Sequence, residues 1–139
     1  MKNILKGAML LILGFYIKNG NAQSGEINFT LQSEYTTVSG QNFTTHSSLF
    51  KTDNTLEWVQ TKNGFSETLS FTITGTSGSW DKNTSQGNIT YSMAISGNQQ
   101  CNITMTRAQD MPLYITLNFI INGEVDEQYA FGDNTISYQ

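Results

Sequence analysis

This chain predicts an all-β fold, an antiparallel meander of about eight strands, on three observations. Apolar and polar residues alternate with period two through most of its length, and no stretch sustains a helical stripe. Asn-Gly pairs separate neighbouring alternating runs, at Asn63-Gly64 and Asn122-Gly123, where a tight hairpin needs two residues tolerant of positive φ. The single proline, Pro112, falls at the start of a run, where a missing N–H does least harm to a ladder. Two closures suit such a meander: a β-sandwich, which is the preferred reading, and an up-and-down barrel.

The first element is a leader. Lys2 and Lys6 form a short positive region, residues 8–17 an apolar run, and Gly20-Asn21-Ala22 places small residues before Gln23. That is the layout of a secretory signal peptide cleaved after Ala22, and the run is too short to span a bilayer. No cysteine follows it to carry a lipoprotein anchor. The expected organisation is therefore a leader, 1–22, and a single all-β domain, 23–139, secreted or periplasmic.

The strands follow in order. Residues 27–31 alternate Ile27, Phe29 and Leu31 with Asn28 and Thr30, and residues 33–50 stay undecided between strand and loop. Residues 55–61 put Leu56 and Trp58 on one face. Residues 68–74 align Leu69, Phe71 and Ile73, and residues 88–95 align Ile89, Tyr91, Met93 and Ile95. The next strand carries Cys101, Ile103 and Met105. Residues 112–121 are apolar on one face through Leu113, Ile115, Leu117, Phe119 and Ile121, with Tyr114 and Ile120 on the other. A strand of that kind is central, lines a cavity or meets another subunit. Residues 125–131 and 135–138 are weaker strands, and Ser96-Gly97-Asn98 reads as a further hairpin. Gly78-Ser79-Trp80 resembles the Gly-x-Trp of lipocalins, although theirs lies near the first strand and this one past mid-chain. The barrel alternative is accordingly a lipocalin-like up-and-down barrel, and no function is carried across.

Composition narrows the partners. Without the leader, Lys51, Lys62, Lys82 and Arg107 face 11 Asp and Glu residues, so the surface is acidic and repels phosphate backbones and anionic head-groups. Nucleic acid is excluded as a partner, and no membrane span remains after cleavage. Cys101 is the only cysteine, so no intrachain disulfide forms; strand parity makes it a buried, inert thiol. His46 is the only histidine, which rules out multi-histidine metal sites within one chain. Nucleotide-binding and GxSxG motifs are missing. The five N-x-S/T triplets follow from alternation in a Ser/Thr/Asn-rich chain.

Three groups of residues remain as candidates. Trp58, Trp80, Tyr35, Tyr91, Tyr114 and Tyr129 stand among Asn, Gln and Thr, a palette that suits sugars, because rings stack on pyranoses while amides pair with hydroxyls. Of these Trp80, Tyr114 and Trp58 are the ligand-binding candidates, Trp80 being the aromatic expected at the surface. Glu124 and Asp126, after a hairpin, and Asp81 and Asn83, in an oxygen-rich turn, are the candidates for a calcium site; no other cofactor is indicated. The leading expectation is an exported, non-enzymatic β-domain binding a sugar, a small apolar molecule or a protein partner. Behind it stand an assembly protein that forms oligomers through strand edges or the 113–121 face, and then a hydrolase using Glu124 and Asp126.

Overall fold

A computed structural model of the protein describes residues 27–43, 45–96 and 98–139. Residues 1–22, where a leader is expected, lie outside them. Nine strands run in chain order: β1 (Phe29–Val38), β2 (Gln41–Phe43), β3 (His46–Thr52), β4 (Thr55–Lys62), β5 (Phe65–Asp81), β6 (Gln86–Ile95), β7 (Gln99–Arg107), β8 (Tyr114–Ile121) and β9 (Glu124–Tyr138). Every pairing is antiparallel, each strand lying beside the next. β2 and β3 lie end to end along one edge of β1, so they count once around the wall.

The wall closes. β9 pairs with the other edge of β1, from Tyr138 opposite Phe29 to Tyr129 opposite Val38. The meander therefore forms the up-and-down barrel and not the preferred two-sheet sandwich. The physical reason lies in the two longest strands, β5 with 17 residues and β9 with 15. The first half of β5 pairs with β4 and the second with β6, and a bulge between Ile73 and Gly75 marks the handover. β9 likewise serves β8 first and then β1. Strands that turn a corner in mid-course carry the sheet round continuously, where a sandwich would have broken it.

Turn chemistry sets the register. Ser39-Gly40, Asn63-Gly64 and Asn122-Gly123 all take positive φ at both residues (47° and 83°, 53° and 79°, 53° and 79°), as the type I′ hairpin demands.

The alternating apolar face fills the interior. Phe29, Leu31, Leu49, Leu56, Trp58, Phe71, Ile89, Tyr91, Met93, Ile103, Met105, Ile115 and Leu117 are all buried there. Trp58 of β4 reaches across to β9, edge-on to Tyr129 at 4.9 Å and Phe131 at 5.4 Å, and donates its Nε1–H to Ser47 Oγ at 3.0 Å. Tyr129 continues the cluster to Phe119 and on to Phe71. Such edge-to-face pairs contribute about 0.5–1.5 kcal/mol each beyond the area they bury.

Among the described residues, one interior residue is charged. Lys51 is 1% exposed, and its ammonium donates to the Asp53 carbonyl at 3.0 Å and lies over the Tyr91 ring at 5.2 Å. Asn28 Oδ1 accepts from the same ammonium at 3.5 Å and from Asp53 N at 2.8 Å. The lysine thus ties the start of β1 to the β3–β4 turn, its stem packed inward and its charge met by carbonyls and a ring face.

Two glycines differ in what a side chain would meet. A Cβ at Gly78 (φ 83°) would collide with the backbone carbonyl of Asn88, whereas one at Gly132 would meet only the ring of Tyr35. We expect Gly78→Ala to cost about 2–4 kcal/mol, since both the positive φ and the backbone clash oppose it, and Gly132→Ala about 1 kcal/mol. Urea unfolding of the two variants checks the order; equal losses would contradict it.

Candidate functional site

The outer wall of β6–β8 carries no charged side chain short of Arg107 at the end of β7. Reading across the strands, one register row runs Ser77–Thr90–Thr104–Thr116–Ala130, and the next Gly75–Ser92–Asn102–Asn118–Gln128. Three neighbouring pairs within these rows are bonded to one another. Thr90 and Thr104 share a hydrogen bond at 2.9 Å. Asn118 donates to Asn102 at 3.0 Å, and Gln128 to Asn118 at 2.9 Å. Strands fix these side chains about 4.8 Å apart, so the hydroxyls and amides are held in place before any ligand arrives. Of the charges of these strands, Arg107, Glu124, Asp126 and Glu127 stand toward strand ends, whereas Asp133 is exposed within β9, next to Gly132.

A third row ends on aromatics. It runs Ser79–Asn88–Thr106–Tyr114, and carrying the β8–β9 register one step past Ile115–Phe131 sets Tyr114 opposite Gly132. Gly132 in turn pairs with Tyr35 of β1, whose ring lies across the space a side chain at 132 would fill. Tyr35 is 43% exposed and Tyr114 55%. The missing side chain lets one tyrosine lie over the sheet while the next strand offers another. The local chain explains the arrangement: Ser33 Oγ donates to the carbonyls of Tyr35 and Gly132 at 2.8 and 2.9 Å, at the kink where β1 and β9 both reverse which face they bury.

The residues singled out by sequence are scattered. Tyr114 is on this face. Trp58 is a core residue, as described. Trp80, expected at the surface, is 1% exposed; it donates to Tyr138 Oη at 2.9 Å, which also bonds Ser85 Oγ at 2.7 Å, and so it seals the end of the barrel. Asp81 caps its own turn by accepting from Asn83 N at 2.8 Å, the ordinary Asx-turn of an Asp-x-Asn sequence. Glu124 and Asp126 are exposed at the start of β9. β5 ends and β9 begins at opposite ends of the barrel, so the two acidic pairs do not meet. No group of three or more His, Cys, Asp or Glu side chains with metal-site geometry occurs among the described residues. His46 is exposed beside Glu34 at 3.4 Å.

Sequence reasoning missed one half-buried and one exposed phenylalanine, Phe50 and Phe65, and one glycine. Phe50 lines an open hollow over the β3–β4 hairpin with Asp53, Asn54 and Glu57. Phe65, 81% exposed, lines another with Gln60 and Lys62. Carboxylates stand in both hollows, unlike the hydroxyl and amide rows of β6–β8. Gly132 gave no local signal, because what matters is the strand that comes to lie beside it.

The comparisons with known proteins are empty: no family description, no curated protein and no solved structure matches the chain.

Buried titratable groups lie inside the wall, away from this face. Burial pushes the Tyr91 phenol up to about 12 and the Cys101 thiol up to about 11. Tyr129 is raised to about 12 by burial and then by its hydrogen bond with Glu127. Each of these groups keeps its proton longer in the folded chain than in the unfolded one. Their contribution to stability is therefore intact below about pH 9 and falls as pH rises toward 12. Denaturant midpoints should be flat from pH 7 to 9 and decline above it. A midpoint still rising at pH 11 would contradict the assignment. Cys101 should react with a thiol reagent only once the protein is unfolded.

Proposed function

We propose that the mature domain is an exported, non-enzymatic binding module, and that its ligand is a neutral glycan held on the outer face around Tyr35 and Tyr114. The observation that carries the reading is the pairing of two exposed tyrosines across a glycine, beside a wall of uncharged hydroxyls and amides on an otherwise acidic protein. Ring faces match the C–H faces of pyranoses, and amides and hydroxyls match their hydroxyl groups. The hydroxyl and amide rows of β6–β8 suit a ligand that brings no charge of its own, since burying an unmatched charge is costly. The leader of residues 1–22 accounts for export, and the mass of the exported chain should begin at Gln23.

Binding to a panel of soluble neutral polysaccharides tests the reading. Tyr35→Ala and Tyr114→Ala should each weaken binding about tenfold or more with the fold intact by circular dichroism, while Phe65→Ala leaves it unchanged. Binding that ignores both tyrosines, or none to any polysaccharide, would overturn it.

A second reading, self-assembly, is favoured by a different observation. Past Ile73, β5 pairs with β6 alone, and the exposed stretch Thr74–Ser79 carries no charge to discourage edge pairing. The unshared start of β9, by contrast, is guarded by Glu124, Asp126 and Glu127. Light scattering across a concentration series separates the readings, because assembly predicts a mass that grows without any sugar.

A further inference from the structure

Resting on the glycan reading, we infer that the face takes an internal stretch of an extended, neutral polysaccharide laid across the strands, not a single sugar and not a chain end. The row from Tyr35 through Gly132, Tyr114 and Thr106 to Asn88 crosses five consecutive strands in one register. It spans about four strand spacings of roughly 4.8 Å each. A pyranose in an extended chain advances by about one strand spacing, so successive rings of one chain meet successive strands. The tyrosines stack the first rings, and the hydroxyl and amide of Thr106 and Asn88 meet the hydroxyls of those that follow. The row beside it, Thr116–Thr104–Thr90, offers hydroxyls to the same chain from one side.

Shape decides between chain interior and chain end. The outer surface of a closed barrel is convex; this row has the short side chains of Ser, Thr and Ala along one side, Arg107, Asp133 and the β7–β8 connection along the other, and continues to Ser79 at its β5 end. A polymer can therefore run on past either end. The same geometry makes binding additive over rings: each ring gains little, and a run of them gains what one cannot.

The test is a length series on the mature protein, titrated by calorimetry with glucose and with cello-, laminari- and malto-oligosaccharides from two to six units. For at least one linkage, affinity should rise tenfold or more between the disaccharide and the tetra- or pentasaccharide and then level off. Reducing the terminal sugar of the hexasaccharide to its alditol should change affinity less than twofold. Thr104→Glu, which sets a charge in the middle of the wall, should weaken the hexasaccharide at least tenfold, with Asn88→Ala as the milder variant should Thr104→Glu fail to fold. Equal affinity for one sugar and for six, or loss on alditol formation, would overturn the extended-chain inference and leave the glycan reading standing. No binding at any length would end both.

Discussion

The seam between β1 and β9 is the constraint on which the rest of the molecule depends. Once Phe29 lies opposite Tyr138 and Val38 opposite Tyr129, the sheet has an inside, and every inward side chain must find its partner across the lumen. That is why Trp58 on β4 meets Tyr129 and Phe131 on β9, strands that are not neighbours in the wall. It is also why the chain affords one inward lysine only where carbonyls and a ring face can receive it. With no disulfide in reach of Cys101, the interior alone opposes the entropy of ordering the chain.

The outside follows a different rule. Closure frees the outer wall from any duty in the core, so its residues are chosen only for staying soluble and for what they meet. Over β6–β8 solubility comes from hydroxyls and amides, several of them bonded to each other along the rows, while the carboxylates of β9 stand at its start and at the kink, where Asp133 lies. Where β1 and β9 kink together, at Ser33–Tyr35 and Gly132–Asn134, the wall gives up its regular pleat and gains an exposed ring resting on a glycine. The departure from regularity and the candidate site coincide.

Much of the wall was legible in the chain, because alternation is local. The runs beginning at Ile27, Leu56, Leu69, Ile89, Cys101 and Leu113 all start in a strand or within two residues of one, with the expected faces inward save for Ile121, which is exposed. Nonlocal features were not legible. Sandwich and barrel use the same alternation and differ only in whether the last strand returns to the first. Residues 33–50 resisted assignment because burial changes parity between Ser33 and Thr36, and because Lys51 points inward while Phe50 points out. β5 runs on through Gly75–Ser79, which has no apolar alternation and is strand only by virtue of β6 beside it. The two weak runs at the end proved to be one strand, kinked beside Gly132. Tyr114 could be read as an outward aromatic from its parity, but Tyr35 acquires its place from a residue far along the chain. Trp80 was misplaced for the same reason: its Gly and Ser neighbours suggest exposure, and Tyr138 and Ser85 bury it.

The seam has a mechanical consequence. Phe29 and Tyr138 lie side by side at one end of the barrel, and Gln139 N donates back to Asn28 O at 3.2 Å. A pull applied through the two ends of the domain would load that seam as a zipper, breaking its rungs one after another instead of shearing them together. A tether carried by one end alone would spare the seam and leave the far hairpins facing outward. The barrel would then resist force best when hung from a single terminus and yield most readily when strung between two.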